Sequence, residues 1–328
     1  MTVMVAGGAG YIGSHTVAEL LSRGQEVVVV DSLVKGHKQA VLGGRLYTGD
    51  IRDPQFMDGV FAENDIDSVI HFAADIEVGL SMKDPLSFYR NNVYTVICML
   101  ESMKKHGVKN IVFSSTAAVY GFPDEVPIKE DCEKNPVNPY GETKLTVEKM
   151  LRWCDEAYGI KWAAPRYFNA AGAHVSAAIG EDHDPESHLI PIILQAAMGK
   201  RDSIKVFGQD YDTPDGTCIR DYIHVTDLAD AHILALEYLK KGGDSASFNL
   251  GSGNGYSVME VIDKVKEVTG REFGVDMAPR REGDPARLVA DSGKARQLLG
   301  WSPKNDDIGV IIESAWKWHT GHPNGFEE

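Results

Sequence analysis

Tyr140 and Lys144 stand four residues apart in the segment PVNPYGETKLTVEKM (136–150). On a helix beginning near Pro139, that separation puts both side chains on one face. A phenol and an ammonium so placed can form an acid/base couple. Free tyrosine, with a pKa of about 10, is a poor base at neutral pH. A nearby ammonium favours the phenolate, as does a cationic ring such as an oxidised nicotinamide. The stretch FSSTAAVYG (113–121) adds Ser114, Ser115 and Thr116 at a strand end. Any of the three can hydrogen-bond a substrate oxygen and relay its proton. Without a hydride carrier, the same pair is an ordinary solvated helix face.

A place for such a carrier lies at the start of the chain. VMVAGGAGYIGSH (3–15) carries Gly7, Gly8, Gly10 and Gly13. Gly8, Gly10 and Gly13 fit G-x-G-x-x-G, and Gly7, Gly10 and Gly13 fit G-x-x-G-x-x-G. Glycines at these positions permit a tight strand-to-helix turn, close approach of a pyrophosphate and close packing of helix on strand. The helix N-terminus then offers free N–H groups and a positive dipole end. The next strand pattern, EVVVVD, ends at Asp31, eighteen residues beyond Gly13. A carboxylate there accepts ribose hydroxyls and repels a 2′-phosphate, which selects NAD over NADP. In GDIRD (49–53), Asp50 and Ile51 are placed to hold adenine, although Asp50 can equally cap a helix.

The elements that must position these groups show as a βαβα rhythm. VMVAG (3–7), EVVVVD (26–31), SVIHFAA (68–74), NIVFSS (110–115) and KWAAPRYFN (161–169) read as strands. Their apolar residues run without alternation, as in parallel strands buried on both faces. SHTVAELLSRG (14–24) reads as an amphipathic helix closed by Gly24. The rhythm predicts an α/β fold, a Rossmann-type doubly wound parallel sheet. Pro165 requires its strand to lie near an edge or its pairing to break there. After Asn169, loops rich in Gly, Asp and Pro point to a smaller C-terminal α/β substrate domain. The expected division is residues 1–168 for NAD and 169–328 for the substrate, with a return to the sheet near ASFNLGSG (246–253).

The chain has 328 residues, 43% hydrophobic and 25% charged, with a formal net charge of −15. An acidic surface repels phosphate backbones, so no nucleic-acid partner is expected. Cys98, Cys132, Cys154 and Cys218 lack metal or disulfide spacing, which suits a reducing cytoplasm. No leader is expected, and no apolar run approaches the ~20 residues that span a bilayer, so no membrane partner is expected. EDHDPESH (181–188) gathers Glu181, Asp182, His183, Asp184, Glu186 and His188. It reads as a solvated or substrate-covering loop, with no metal. His71 reads as packed, and Met82, Met99 and Met103 as core filling.

GGAGYIG, SSTAAVYG and Tyr140-x-x-x-Lys144 resemble the extended short-chain dehydrogenase/reductase family. HFAA (71–74), NNVYTV (91–96), RYFNAAGA (166–173), GEDHDPESHLIP (180–191), DYDTPDGTCIRDYIHVTDLADAH (210–232) and PRREGDPARLVADSGKA (279–295) extend the likeness over almost the whole chain, to its sugar-nucleotide 4-epimerases. The resemblance implies a redox-neutral inversion of UDP-glucose and UDP-galactose at C4. It proceeds through a 4-keto sugar, with tightly held NAD, in a homodimer. It makes Tyr140, Lys144 and Thr116 catalytic. It assigns to the cofactor Gly7, Gly10, Tyr11, Ile12, Gly13, Asp31, Ser32, Asp50, Ile51, Phe72, Ala73, Ala74, Asn91, Ser114, Tyr140, Lys144, Tyr167 and Phe168. To the substrate it assigns Thr116, Tyr140, Asn169, His188, Leu189, Val206, Phe207, Arg220, Tyr222, Arg281, Asp284 and Leu288.

Within that set Arg220 and Arg281 suit a diphosphate, because guanidinium forks match phosphate oxygens. The alternative for each is an ion pair with an adjacent acid, in RDY or RREGD. Asp284 suits ribose hydroxyls. Ile76 stands where some members place a lysine on the cofactor. Leu288 occupies the position that limits the C2 substituent, and its small size extends the expectation to UDP-N-acetylhexosamines. A 4,6-dehydratase needs an acid and a base directly after Thr116, and Ala117 and Ala118 supply neither. Other nucleotide-sugar 4-epimerases, acting on UDP-glucuronate or hexosamines, are the nearest alternative. An NAD-sensing protein without catalysis is the alternative of another class. Helices near 90–106 and 140–158 are the expected dimer contact.

Overall fold

Thr2–Ala6, all buried, form the first strand, β1, of a computed structural model that describes residues 2–281 and 284–327. Glu282 and Gly283 of the PRREGDP motif lie outside the described residues. Alternate side chains of β1 enter different layers, as a two-residue strand period requires. Val3 and Val5 join one core, and Met4 and Ala6 the other.

In chain order the first half continues with α1 (Tyr11–Ser22), β2 (Glu26–Asp31), β3 (Arg45–Thr48), α2 (Pro54–Glu63) and β4 (Ile66–His71). Short helices α3 (Val78–Ser81) and α4 (Pro85–Phe88) lead through a π-helical stretch, Tyr89–Tyr94, into α5 (Thr95–His106). Then come β5 (Asn110–Phe113), a 3₁₀ turn Ala117–Tyr120, α6 (Pro139–Tyr158) and β6 (Lys161–Tyr167). The second half holds β7 (Asn169–Ala171), α7 (Leu189–Ala197), β8 (Ser203–Phe207), β9 (Ile219–Arg220), β10 (Tyr222–His224), α8 (Val225–Lys240) and β11 (Ala246–Leu250). It ends with β12 (Tyr256–Ser257), α9 (Val258–Thr269), β13 (Gly274–Ala278), β14 (Arg287–Leu288), α10 (Gly293–Leu299) and α11 (Ile308–Gly321).

Seven strands form one parallel sheet in the order β11-β6-β5-β4-β1-β2-β3. The winding reverses beside β1, which pairs with both β2 and β4. That reversal opens a crevice at the strands' C-terminal ends, where ligands of such sheets bind. One face is covered by α1, α8 and α10, the other by α2, α5 and α6. A separate core joins α7, α9 and α11 to β8 and β10.

β6 lies between β5 and β11, so Pro165 is not at an edge. Its pairing is interrupted instead: the β5–β6 ladder ends at Val112 and Ala163, and Pro165 faces Phe248 of β11. The first helix begins at Tyr11, earlier than the expected residue 14, and Gly24 follows it with φ +71°. The fourth strand stops at His71, short of the expected Ala74. Met99 and Met103 fill the core, but Met82 does not: it is 62% exposed, beyond the end of α3. No helix among the described residues is long and apolar enough to cross a membrane.

Candidate active site

The glycine loop joins β1 to α1 by close backbone contact. Gly7 has φ +78°, and a Cβ on it would meet Ala73 N at 2.6 Å. A Cβ on Gly13 would meet Gly7 O at 2.1 Å. Gly7 and Gly13 thus pack the turn, whereas a Cβ on Gly10 would find only Gly7 O, at 3.5 Å. Gly10 is the open glycine at the helix start, where no side chain caps the first-turn N–H groups of Tyr11 and Ile12. This cradle fits a pyrophosphate. Buried Asp31 accepts the Ala9 and Leu33 amides, each at 2.9 Å, which fixes its carboxylate at the loop. Each carboxylate oxygen retains acceptor capacity for a ribose hydroxyl. The residues present therefore fit a dinucleotide.

Around the crevice rim, Asp50 takes Arg52 at 2.6 Å, and Arg52 reaches Asn91 at 2.9 Å. Asp50 is not a helix cap: Asp53 caps α2, accepting from Gln55 and Phe56. Asn91, on the π-helical stretch, donates to Asp75 at 2.5 Å. Ile51 is buried, Ser32 exposed, and Phe72, Ala73 and Ala74 follow β4 into the crevice. Ile76 is 37% exposed. Lys35 reaches the residues on either side of it, Asp75 at 3.1 Å and Glu77 at 2.8 Å.

Pro139 opens α6, because its fixed φ suits the first helical position, and Asn138 caps it by accepting Gly141 N at 2.8 Å. A Cβ on Gly141 would meet Ala118 O at 2.6 Å, so α6 rests directly on the Thr116 turn. Tyr140, Lys144 and Thr116 are all buried and come together there. Lys144 Nζ donates to Ser114 O at 2.8 Å and lies 5.9 Å from the Tyr140 ring centroid. Burial pushes the Tyr140 phenol up to about 12, opposed by the Thr116 hydroxyl. Burial also brings Lys144 down to about 7, opposed by Glu148 one turn along the helix. His71 and His232 beside Lys144 are held neutral by burial, at about 3 and about 4. Ser114 Oγ and the Tyr167 hydroxyl lie 2.8 Å apart, so Tyr167 borders the same centre. Phe168 is partly buried against the Thr116 turn's core.

Lys144 binds its proton more weakly folded than unfolded. Between about 7 and the ordinary lysine value of about 10.4, the unfolded chain holds the extra proton, and this group makes stability rise with pH. Below that window both states are protonated and the burial penalty is fully present. Urea unfolding across the window should show wild type gaining stability relative to Lys144→Met. Parallel curves would contradict this assignment.

Ser115 is not a substrate hydroxyl. It is fully buried and donates to Glu148 at 2.6 Å. Glu148 also holds Arg166, at 2.9 and 2.5 Å, in a buried ion pair beneath the site. Glu148 and Arg166 meet only in the fold, because they lie on different elements, α6 and β6. The signal available in the sequence was the second i,i+4 step, Lys144 to Glu148.

A cavity of about 560 Å³ opens beside this centre. It is lined by Asn169, His188, Leu189, Phe207, Arg220, Tyr222, Arg281 and Asp284 of the expected set. Arg220 pairs with Asp284 across the cavity wall, not with adjacent Asp221. Asp221 turns inward to the Ser252, Gly253 and Ala290 amides. Arg281 lies over the Phe207 ring, 4.1 Å from its centroid. Val206 does not line the cavity: its side chain is buried in the core while Ser203, Lys205 and Phe207 face the opening. Lys205 and Arg201 are cationic wall residues missed from sequence, although SIKVF alternates as a half-buried strand should. Leu288 pairs with Arg220 across β14 and β9 and packs against the Thr116-turn core, between cavity and centre.

The 181–188 loop is solvated only in part: Asp184, Pro185 and Ser187 are exposed, but two of its acids turn inward. Glu181 and Glu186 side chains are 4% and 5% exposed and meet His183 and His188. Burial opposes the charge on both imidazoles, but the nearby carboxylates outweigh it and raise His183 to about 9 and His188 to about 10.

Residues 3–251 match the NAD dependent epimerase/dehydratase family. A UDP-glucose 4-epimerase of Halalkalibacterium halodurans is 56% identical over 326 residues, 99% of this chain and 98% of that protein. A crystal structure of a UDP-glucose 4-epimerase superposes with TM-score 0.98 at 53% identity, covering 100% of both chains. The Bifidobacterium longum UDP-glucose 4-epimerase in complex with NAD+ and UDP superposes with TM-score 0.93 at 42% identity, over 99% of this chain and 100% of that one.

Proposed function

The chain belongs to the NAD dependent epimerase/dehydratase family, and we propose that it interconverts UDP-glucose and UDP-galactose by inverting C4 through a 4-keto sugar. The observation that carries this reading is the buried Thr116, Tyr140 and Lys144 set, joined through Tyr167 and Asn169 to a cavity bearing Arg220 and Arg281. Residues 1–168 hold the cofactor and residues 169–328 the UDP-sugar.

NAD supplies the acceptor and donor of the C4 hydride. Gly7, Gly10 and Gly13 with the Tyr11 and Ile12 amides hold its pyrophosphate, and Asp31 its ribose. As the phenolate, Tyr140 would take the O4 proton, becoming the phenol, and would return it to O4 when the hydride comes back. Thr116 Oγ1 hydrogen-bonds the same oxygen and keeps it near the phenol. Lys144 Nζ, anchored on Ser114 O, favours the phenolate. Arg220 and Arg281 grip the diphosphate, and Asp284 braces Arg220 while facing the ribose. Firm hold on UDP with weak hold on the hexose lets the keto sugar present either face. Burial of the centre excludes water from the intermediate.

Leu288 leaves room beside C2, which supports activity on UDP-N-acetylhexosamines. The chain, assayed separately with UDP-galactose and UDP-N-acetylgalactosamine, should yield both gluco epimers. Leu288→Tyr should lower kcat/KM for the acetylated sugar about 10-fold or more, while sparing UDP-galactose. Equal losses on both sugars would overturn the Leu288 role, and no product from either would overturn the epimerase reading.

We place the protein in the cytoplasm, where its four free cysteines stay reduced. A homodimer through α5, α6 and the π-helical stretch is supported by exposed Tyr89, Tyr94, Trp153 and Tyr158 on these elements.

A further inference from the structure

The segment 181–188 folds four donor side chains onto one point behind the glycine loop. One ligand-type atom from each of Glu181, His183, Glu186 and His188 lies within 4.8 Å of the other three. His188 Nδ1 stands 2.9 Å from Glu181 Oε1 and 3.0 Å from Glu186 Oε1. His183 Nδ1 stands 3.2 Å from Glu181 Oε1 and 3.8 Å from Glu186 Oε2. Yet His183 Nδ1, buried from solvent, hydrogen-bonds to neither carboxylate. A buried polar nitrogen without a partner requires an explanation. His319 of α11 also has a buried, unpartnered Nε2 and sits in the field of both carboxylates.

We propose that Glu181, His183, Glu186 and His188 form a divalent-cation site, and that zinc is the ion it fits best. Imidazole nitrogens and carboxylate oxygens are both ligands that zinc takes, and two of each complete a four-coordinate set. With all four positions filled by protein, the site is structural and leaves no place for a reacting water. Two inward-facing carboxylates supply the charge that a dication neutralises. His188 also lines the cavity, which provides the ion's path in.

The position gives the ion something to hold. Glu181 O accepts the Trp318 indole of α11 at 3.1 Å, and the Tyr11 ring meets His183 edge-on, at 6.1 Å between centroids. His188 occupies the residue position just before α7, without a side-chain hydrogen bond to the helix. A cation here ties the glycine loop, α7 and α11 to the segment that leads into the cavity wall.

The test uses the full chain, dialysed against chelator and then titrated with Zn²⁺. Elemental analysis should find one zinc per chain, and Co²⁺ in its place should give the strong visible bands of tetrahedral cobalt. Zinc at a hundredfold excess over its dissociation constant should raise the thermal midpoint by about 4 °C. His183→Gln and Glu186→Gln should each abolish stoichiometric binding and the thermal shift while retaining a native circular dichroism spectrum. Should one variant fail to fold, the other decides. Failure of wild type to bind one equivalent overturns the proposal, as does undiminished binding by a folded variant. Either result would leave the cluster as paired histidinium and carboxylate groups.

Discussion

Tyr140→Phe should lose roughly 10³-fold in kcat, the size expected when a positioned proton-transfer group is removed. The substitution deletes one hydroxyl and keeps the ring that packs α6 against the Thr116 turn. The phenol is buried, so no solvent path substitutes for it at the C4 oxygen. Lys144 is held away from that position, its Nζ anchored on Ser114 O. UDP binding should be unchanged, since Arg220, Arg281 and Asp284 lie in the adjoining cavity. Steady-state kinetics and calorimetric titration with UDP separate the two effects. A loss under about 10-fold would remove Tyr140 from the proton path.

Glu148→Leu should destabilise the fold by about 3–5 kcal/mol, the cost of leaving a buried guanidinium without its partner. Arg166 donates to Glu148 at 2.9 and 2.5 Å and to the Tyr120 hydroxyl at 2.7 Å. Tyr120 donates in turn to Asn249 at 2.6 Å. The network fastens α6 to the turn after β5, to β6 and to β11, and so holds the floor on which Lys144 stands. Stabilities of natural domains run to about 5–15 kcal/mol, so the loss is a large fraction of the whole. The double variant Glu148→Leu/Arg166→Met should recover much of it, because no unpaired charge remains. Urea unfolding of the two single variants and the double measures the coupling. Additive losses would show that the pair acts independently.

The legible features were those with a local physical cause. Parallel strands buried on both faces read as unbroken apolar runs, and β1, β2 and β5 fall where those runs fall. The glycine loop is a local turn, and the Tyr140–Lys144 pair is one helical step. Asp284 and Arg220, sixty-four positions apart, meet only because β9 and β14 lie side by side. Resemblance placed them in one site, and their pairing needed the fold. Asp221 was the expected neighbour acid for Arg220, but strand alternation sends the two side chains to opposite sides. The same alternation put Phe207 at the cavity and Val206 in the core. In the acidic loop charge is not the same as exposure: imidazoles interleaved with carboxylates let Glu181 and Glu186 turn inward while Asp184 and Ser187 stay exposed. Met82 misled in the opposite direction, an apolar side chain left on a helix end.

The central claim is that one chain removes and returns the same C4 hydrogen while Tyr140 handles only the proton. UDP-galactose carrying deuterium at C4, incubated with the purified chain and no added NAD, tests it directly. The UDP-glucose formed should keep the deuterium at C4, with none lost to water. Product stripped of the label, or no product even after NAD is supplied, would contradict it.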